Sequence, residues 1–110
     1  MYRKYGNKKV KMGDKIFDSM KEAYRYNELK MLQDHGKIKD LMCQVPFILV
    51  PKFTAPSGKQ YKSMKYVADF VYYDMDGTRH IEDVKGYKTS EYKLKAKLMA
   101  YQGNEIEEIT

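Results

Sequence analysis

A chain of 110 residues has room for one domain with a modest core, and 43% hydrophobic against 33% charged residues excludes a disordered polymer. Its 21 Lys and Arg against 15 Asp and Glu leave a formal net charge of +6, which favours a polyanionic partner. The single Cys43 excludes an internal disulfide and any cysteine metal cluster, and no apolar run is long enough to span a bilayer.

The first residues, MYRKYGNKKV, lack the apolar segment of a signal peptide, so the chain is read as cytoplasmic and reduced, with Cys43 an inert thiol. Residues 1–14 read as a basic arm carrying Arg3, Lys4, Lys8, Lys9 and Lys11, and residues 15–110 as the folded domain. KIF (15–17) is a short extended lead-in. Residues 19–36 read as a helix: Ser19 and Glu22 fit a capping box, and Gly36 suits the position past the last turn. Met20, Tyr24 and Met31 fall on one side of it, while Tyr26 and Leu29 fall on another, shared with Glu22. A helix with two apolar sides is expected to pack on a sheet and on a partner chain.

LMCQVPFILV (41–50) reads as a strand that Pro46 pushes to an edge or a bulge. KFTAPSGKQ (52–60) reads as loop, and SMKYVADFVYYD (63–74) as a strong strand. MDG turns the chain into a further strand, TRHIEDVKG (78–86). TSEYKLKAKLMAYQG (89–103) reads as a helix with Leu94, Leu98 and Tyr101 at helical spacing, and NEIEEIT supplies a last short strand. The order helix, three strands, helix, strand predicts an α/β fold, a mixed sheet flanked by helices.

The turn decides which acids meet. With a three-residue loop, Met75-Asp76-Gly77, counting back from Asp74 opposite Thr78 sets Asp69 across from Asp83 on one face, with Lys85 beside them. Val67, Val71 and Ile81 then line that face, and Glu82 points away. With a two-residue Asp-Gly turn the pairing slips by one and puts Asp83 and Lys85 on the other side of the sheet from Asp69. Both turns are open to this sequence. Apposed carboxylates need a cation between them, and oxygen ligands of this kind suit Mg²⁺. Glu22 is either a capping glutamate or a third carboxylate. His35 and His80 have no partner at ligand or triad spacing.

VADF, a hairpin and EDVKG together resemble the signature of the PD-(D/E)xK nuclease superfamily, and the chain at large is similar to small phage-encoded members of it. The resemblance implies a restriction-endonuclease-like core. It matches Asp69 to the family's first acid and Asp83-Val84-Lys85 to its (D/E)xK element, with Glu22 where many members carry a glutamate on the first helix. Ala68 stands where the family commonly has proline. By this resemblance the protein is a Mg²⁺-dependent endonuclease, Mn²⁺ substituting, with Asp69, Asp83, Glu22 and the Val84 carbonyl on the metal and Lys85 activating water. Arg3, Lys4, Lys8, Lys9, Lys88, Lys93 and Lys97 are expected to grip DNA, with Gln44 near the scissile phosphate. So small a chain has little room to read sequence, which favours branched or junction DNA, as in a Holliday-junction resolvase. Paired cuts imply a homodimer, acting in a bacterial host if the chain is phage-encoded. The alternatives are an inactive nuclease fold that only binds DNA or a replication protein, and a basic adaptor in which Asp83 and Lys85 form a surface pair.

Overall fold

The computed structural model describes residues 9–85 and 87–110. It opens with an antiparallel hairpin of β1 (Val10–Met12) and β2 (Lys15–Phe17). The arm expected over residues 1–14 is thus a strand from Val10 onward, because Gly13 at φ +67° turns the chain back on itself. Arg3, Lys4 and Lys8 lie outside the described residues.

Helix α1 (Met20–Asp34) starts where Ser19 Oγ accepts the Glu22 N–H at 3.1 Å. It buries Glu22, Ala23 and Leu29 and leaves Met20, Tyr24 and Met31 at least half exposed. Of its two apolar sides, the one with Leu29 meets the sheet and the one with Met20, Tyr24 and Met31 faces outward. Strand β3 (Ile38–Val50) then pairs antiparallel with β6 (Met64–Asp74), which pairs antiparallel with β7 (Arg79–Val84). After α2 (Ser90–Tyr101), β8 (Glu107–Ile109) joins β7 in parallel, so the mixed sheet runs β3-β6-β7-β8. Strand β3 lies at its edge, where the missing N–H of Pro46 costs no inner ladder bond.

Two of the sequence readings are corrected. Residues 52–60 are not plain loop: β4 (Phe53–Thr54) pairs with β5 (Gln60–Tyr61), closed by a turn in which the Gly58 N–H donates to Ala55 O at 2.8 Å. Pro56 at the second turn position and Gly58 at φ +93° fit that turn; composition marked the breakers but not the ladder they close. In α2 the buried residues are Tyr92 and Met99, whereas Leu94 is 51% and Tyr101 89% exposed. The sheet takes the Tyr92–Met99 side, with Ala96 and Leu98 partly buried beside them.

Each helix covers its own core. Tyr92 and Met99 of α2 pack on Leu49, Tyr66, Ala68, Val71 and Ile81. Ala23 and Leu29 of α1 pack with Phe17, Ile38, Phe70 and Tyr72. On the α1 side the buried Glu82 accepts two hydrogen bonds from Arg25 and one from the Tyr72 hydroxyl, so its charge is fully engaged away from the acids opposite.

The hairpin between β6 and β7 uses the three-residue loop: Asp74 N–H donates to Thr78 O at 2.8 Å, Tyr73 pairs with Arg79, and Gly77 stands at φ +93°. A Cβ at Gly77 would meet nothing within 4 Å, so the cost of a side chain there is purely conformational. Gly77→Ala is expected to lower stability by about 1 kcal/mol in a urea melt, with an unchanged slope.

Candidate active site

With Phe70 paired to Glu82 and Val71 to Ile81, one further step of the same register sets Asp69 across from Asp83. At this level the sheet turns over. Cys43 and Phe70 face the α1 core, yet Val45 and Ala68, two residues along the same strands, face the α2 core. Regular alternation would keep each of these on one side. Gln44, between Cys43 and Val45 and level with Asp69, absorbs the change at φ +54°, a left-handed conformation costly for a residue with a Cβ.

The turnover gathers side chains from both faces. Asp69 Oδ2 accepts the Val84 N–H at 2.8 Å, and the Asp83 carboxylate lies within hydrogen-bonding reach of Asp69. Gln44 Nε2 donates to Glu22 Oε2 at 3.0 Å and stands 3.5 Å from Asp69 Oδ1. The Tyr66 hydroxyl donates to Asp83 Oδ2. Lys85 Nζ sits 3.5 Å from Asp83 Oδ1 and 4.1 Å from the centroid of the Tyr92 ring, which holds the ammonium by a cation–π contact. Tyr92 is fixed in turn by its hydroxyl, which donates to Glu108 at 2.8 Å.

Glu22, Asp69, Asp83 and Lys85 are therefore brought together, as the first of the two turns requires. Glu22 is both cap-proximal and part of the cluster: its backbone N–H meets Ser19 while its side chain turns inward to Gln44. Val71 and Ile81 are buried on the acids' side as expected, but Val67 is 47% exposed, carried away by the turnover. Tyr66 and Tyr92 escaped the sequence reading. Strict alternation puts Tyr66 on the face opposite Asp83, and only the irregularity at Gln44 and Asp69 reverses this.

The cluster is short of positive charge. Burial, then Asp18 and Asp83, push the Glu22 carboxyl up to about 7 from an ordinary 4.5. Burial, then the facing Asp83 and Glu22, also raise Asp69 well above the carboxylate range. Burial and the Asp83 carboxylate drive the Tyr66 hydroxyl up, so it remains a donor. Among the described residues no three His, Cys, Asp or Glu side chains stand in a ready-made metal-holding group. Asp83 is engaged by Tyr66 and Lys85, and Asp69 by the Val84 N–H.

The expected DNA-gripping residues scatter. Lys9 pairs with Asp18 at 2.7 Å and Lys88 with Glu108 at 2.6 Å, while Lys93 and Lys97 are exposed on α2. His80, which has no partner at ligand or triad spacing in the sequence, bridges Asp74 (2.7 Å) and Glu107 (2.6 Å) and stacks on Tyr72. Those carboxylates lie six and 27 residues away, beyond any local spacing rule.

Among the described residues no helix is long and apolar enough to cross a membrane. No curated protein and no solved structure matches the sequence. The model of the family described as "Protein of unknown function (DUF1064)" matches residues 2–109, nearly the whole chain. The convergent acids and lysine thus belong to a chain that is a member of the DUF1064 family.

Proposed function

We propose that the protein is a Mg²⁺-dependent endonuclease with a restriction-endonuclease-like core, acting on branched or junction DNA. The observation that carries the reading is the meeting of Glu22 from α1, Asp69 from β6, and Asp83 and Lys85 from β7 and its end, at the level where the sheet turns over. The element order around that level supports it.

The donor set suits a divalent cation. It consists of hard oxygens, and burial, then the neighbouring carboxylates, make Glu22 and Asp69 hold their protons tightly, a cost a bound cation would relieve. Asp69 and Asp83 would hold the ion, with Glu22 and the Val84 carbonyl; a strand residue turns its C=O to the same edge as its N–H, which here meets Asp69. When bound, Mg²⁺ or Mn²⁺ supplies a Lewis acid for the scissile phosphate and lowers the pKa of water. Lys85 orients the attacking water and faces the charge that develops on phosphorus. Gln44 keeps Glu22 and Asp69 apart by donating between them. Lys88, Lys93, Lys97 and the basic residues before Lys9 contact the DNA backbone without reading sequence. A homodimer cuts both strands, and the outward Met20–Tyr24–Met31 side of α1 supports that assembly.

A second reading, a nuclease fold that binds DNA without cutting, draws on the engagement of Asp83 by Tyr66 and Lys85. One assay separates the two. Purified protein is incubated with a four-way junction, a flap, single strands and plain duplex, in Mg²⁺, Mn²⁺ or EDTA. Metal-dependent cutting of the branched substrates is expected. DNA bound but intact in either metal leaves the second reading standing.

A further inference from the structure

The ribbon β4–β5 has no part in the carboxylate cluster, yet it carries the chemistry of a nucleic-acid contact. Between Asp40 and Asp69 the chain has no acidic residue and four lysines, Lys52, Lys59, Lys62 and Lys65, all exposed. Within that segment Phe53 and Tyr61 stack face to face, with centroids 5.0 Å apart and planes 10° apart, while 47% and 43% exposed. Lys59 Nζ lies 4.9 Å from the Tyr61 ring. Beyond each other, the two strands make no substantial contact with another helix or strand among the described residues. An aromatic pair that supports no core, has Lys59 against one ring and stands in a segment of exposed lysines without acids is placed to meet a ligand with flat rings and negative charge.

The open side of the sheet leads from this ribbon to the candidate active site. Pro46 pairs with Val67 and Ile48 with Lys65, and all four are exposed. From Asp69 back to Met64, strand β6 runs about 17 Å, and β5 follows directly. The strip carries Lys65, the fourth of those lysines, and no acid before Asp69.

We propose that the β4–β5 ribbon is a DNA-holding element, in which Phe53 and Tyr61 stack on an unpaired base while Lys52, Lys59 and Lys62 neutralise the neighbouring phosphates. The inference rests on the nuclease reading for the purpose it serves, and extends it by naming unpaired nucleotides beside a branch as the part of the substrate held away from the cut. Stacking platforms of this kind accept any base, consistent with structure-selective binding.

The test is fluorescence anisotropy with labelled single-stranded and flap DNA, in EDTA, on the full chain. The proteins are wild type, Phe53→Ala/Tyr61→Ala and Lys52→Ala/Lys59→Ala/Lys62→Ala, with thermal melts alongside. The aromatic variant is expected to lose about tenfold or more in affinity for unpaired DNA, with much less change on plain duplex. The lysine variant is expected to flatten the dependence of log affinity on log salt by about 2, three contacts at roughly 0.7 each. Affinities and salt slopes equal to wild type in both variants overturn the proposal and leave the ribbon as a surface for a protein partner. Because binding is read in EDTA, the outcome is separate from cleavage. Ribbon variants that lose binding in a protein that never cuts leave this inference intact and end the nuclease reading; a cutting enzyme indifferent to the ribbon does the reverse.

Discussion

Lys85→Ala should reduce metal-dependent cutting of branched DNA by about 10²–10³-fold while changing DNA affinity only a few-fold. The first figure is what is typically lost with one fixed positive or hydrogen-bonding group aimed at developing charge; the second follows because one phosphate contact among several is a small share of the electrostatic binding. Lys85 is poised rather than free, with its ammonium between Asp83 Oδ1 at 3.5 Å and the Tyr92 ring at 4.1 Å. Removing it leaves Asp83 bonded to the Tyr66 hydroxyl, so the strand end keeps an anchor and the variant should fold. Lys85→Arg is not a rescue, because a planar guanidinium cannot replace a compact ammonium over that ring at the same reach. Single-turnover rates on a flap substrate check both variants, with anisotropy on the same DNA. Cutting by Lys85→Ala at the wild-type rate would remove the lysine from the chemistry and leave Asp83–Lys85 an ion pair.

Most of the scaffold was legible because local signals agreed with one another. The strand 63–74 is rich in β-branched and aromatic residues, Ser19 and Thr89 sit where the helices begin, and Gly77 fits the loop that sets the register. From that register came the facing of Asp69 and Asp83. What local signals do not carry is which side of a helix finds the sheet. In α2, Leu98 packs on the core as its spacing suggests, yet Leu94 and Tyr101 face outward while Tyr92 and Met99 turn inward. The fit between the two surfaces, a property of the pair, decides it.

The site was legible in its charged members and hidden in its neutral ones. Alternation on regular strands was enough to place Asp83 and Lys85 together. It fails at Gln44 and Asp69, where the sheet exchanges faces; beyond that level Val67, expected beside the acids, turns outward, and Tyr66 turns in. The same irregularity lets Glu22 on one face and Tyr92 on the other reach a common centre. A left-handed glutamine has no sequence signature of its own, so the feature that assembles the cluster is the one that pattern reading cannot find.

Glu22→Gln is expected to be more stable than wild type at pH 8 in the absence of divalent metal, and no more stable at pH 5. In the folded protein the Glu22 carboxyl is raised to about 7 from 4.5, first by burial and then by Asp18 and Asp83. A raised folded value means the native state binds the proton more tightly than the unfolded chain. The group's contribution is therefore fully present below about pH 4.5, and is lost as pH climbs through about 7. Above that, the wild type carries a buried anion that glutamine does not have, while glutamine still offers an oxygen to the Gln44 amide. Discounted for partial solvent screening, the gain is about 1–2 kcal/mol, a rise of roughly 5–10 °C in Tm for a domain of this size. Asp69→Asn moves in the same direction, for burial and the facing Asp83. Mg²⁺ should close the gap from the other side, raising the Tm of wild type at pH 8, less at pH 6 where protons compete, and least for the variants. Thermal melts at three pH values, with and without Mg²⁺, read all of this at once. Variants less stable than wild type at pH 8 without metal would mean that fixed contacts already balance these carboxylates, and the case for a cation among them would fall with that result.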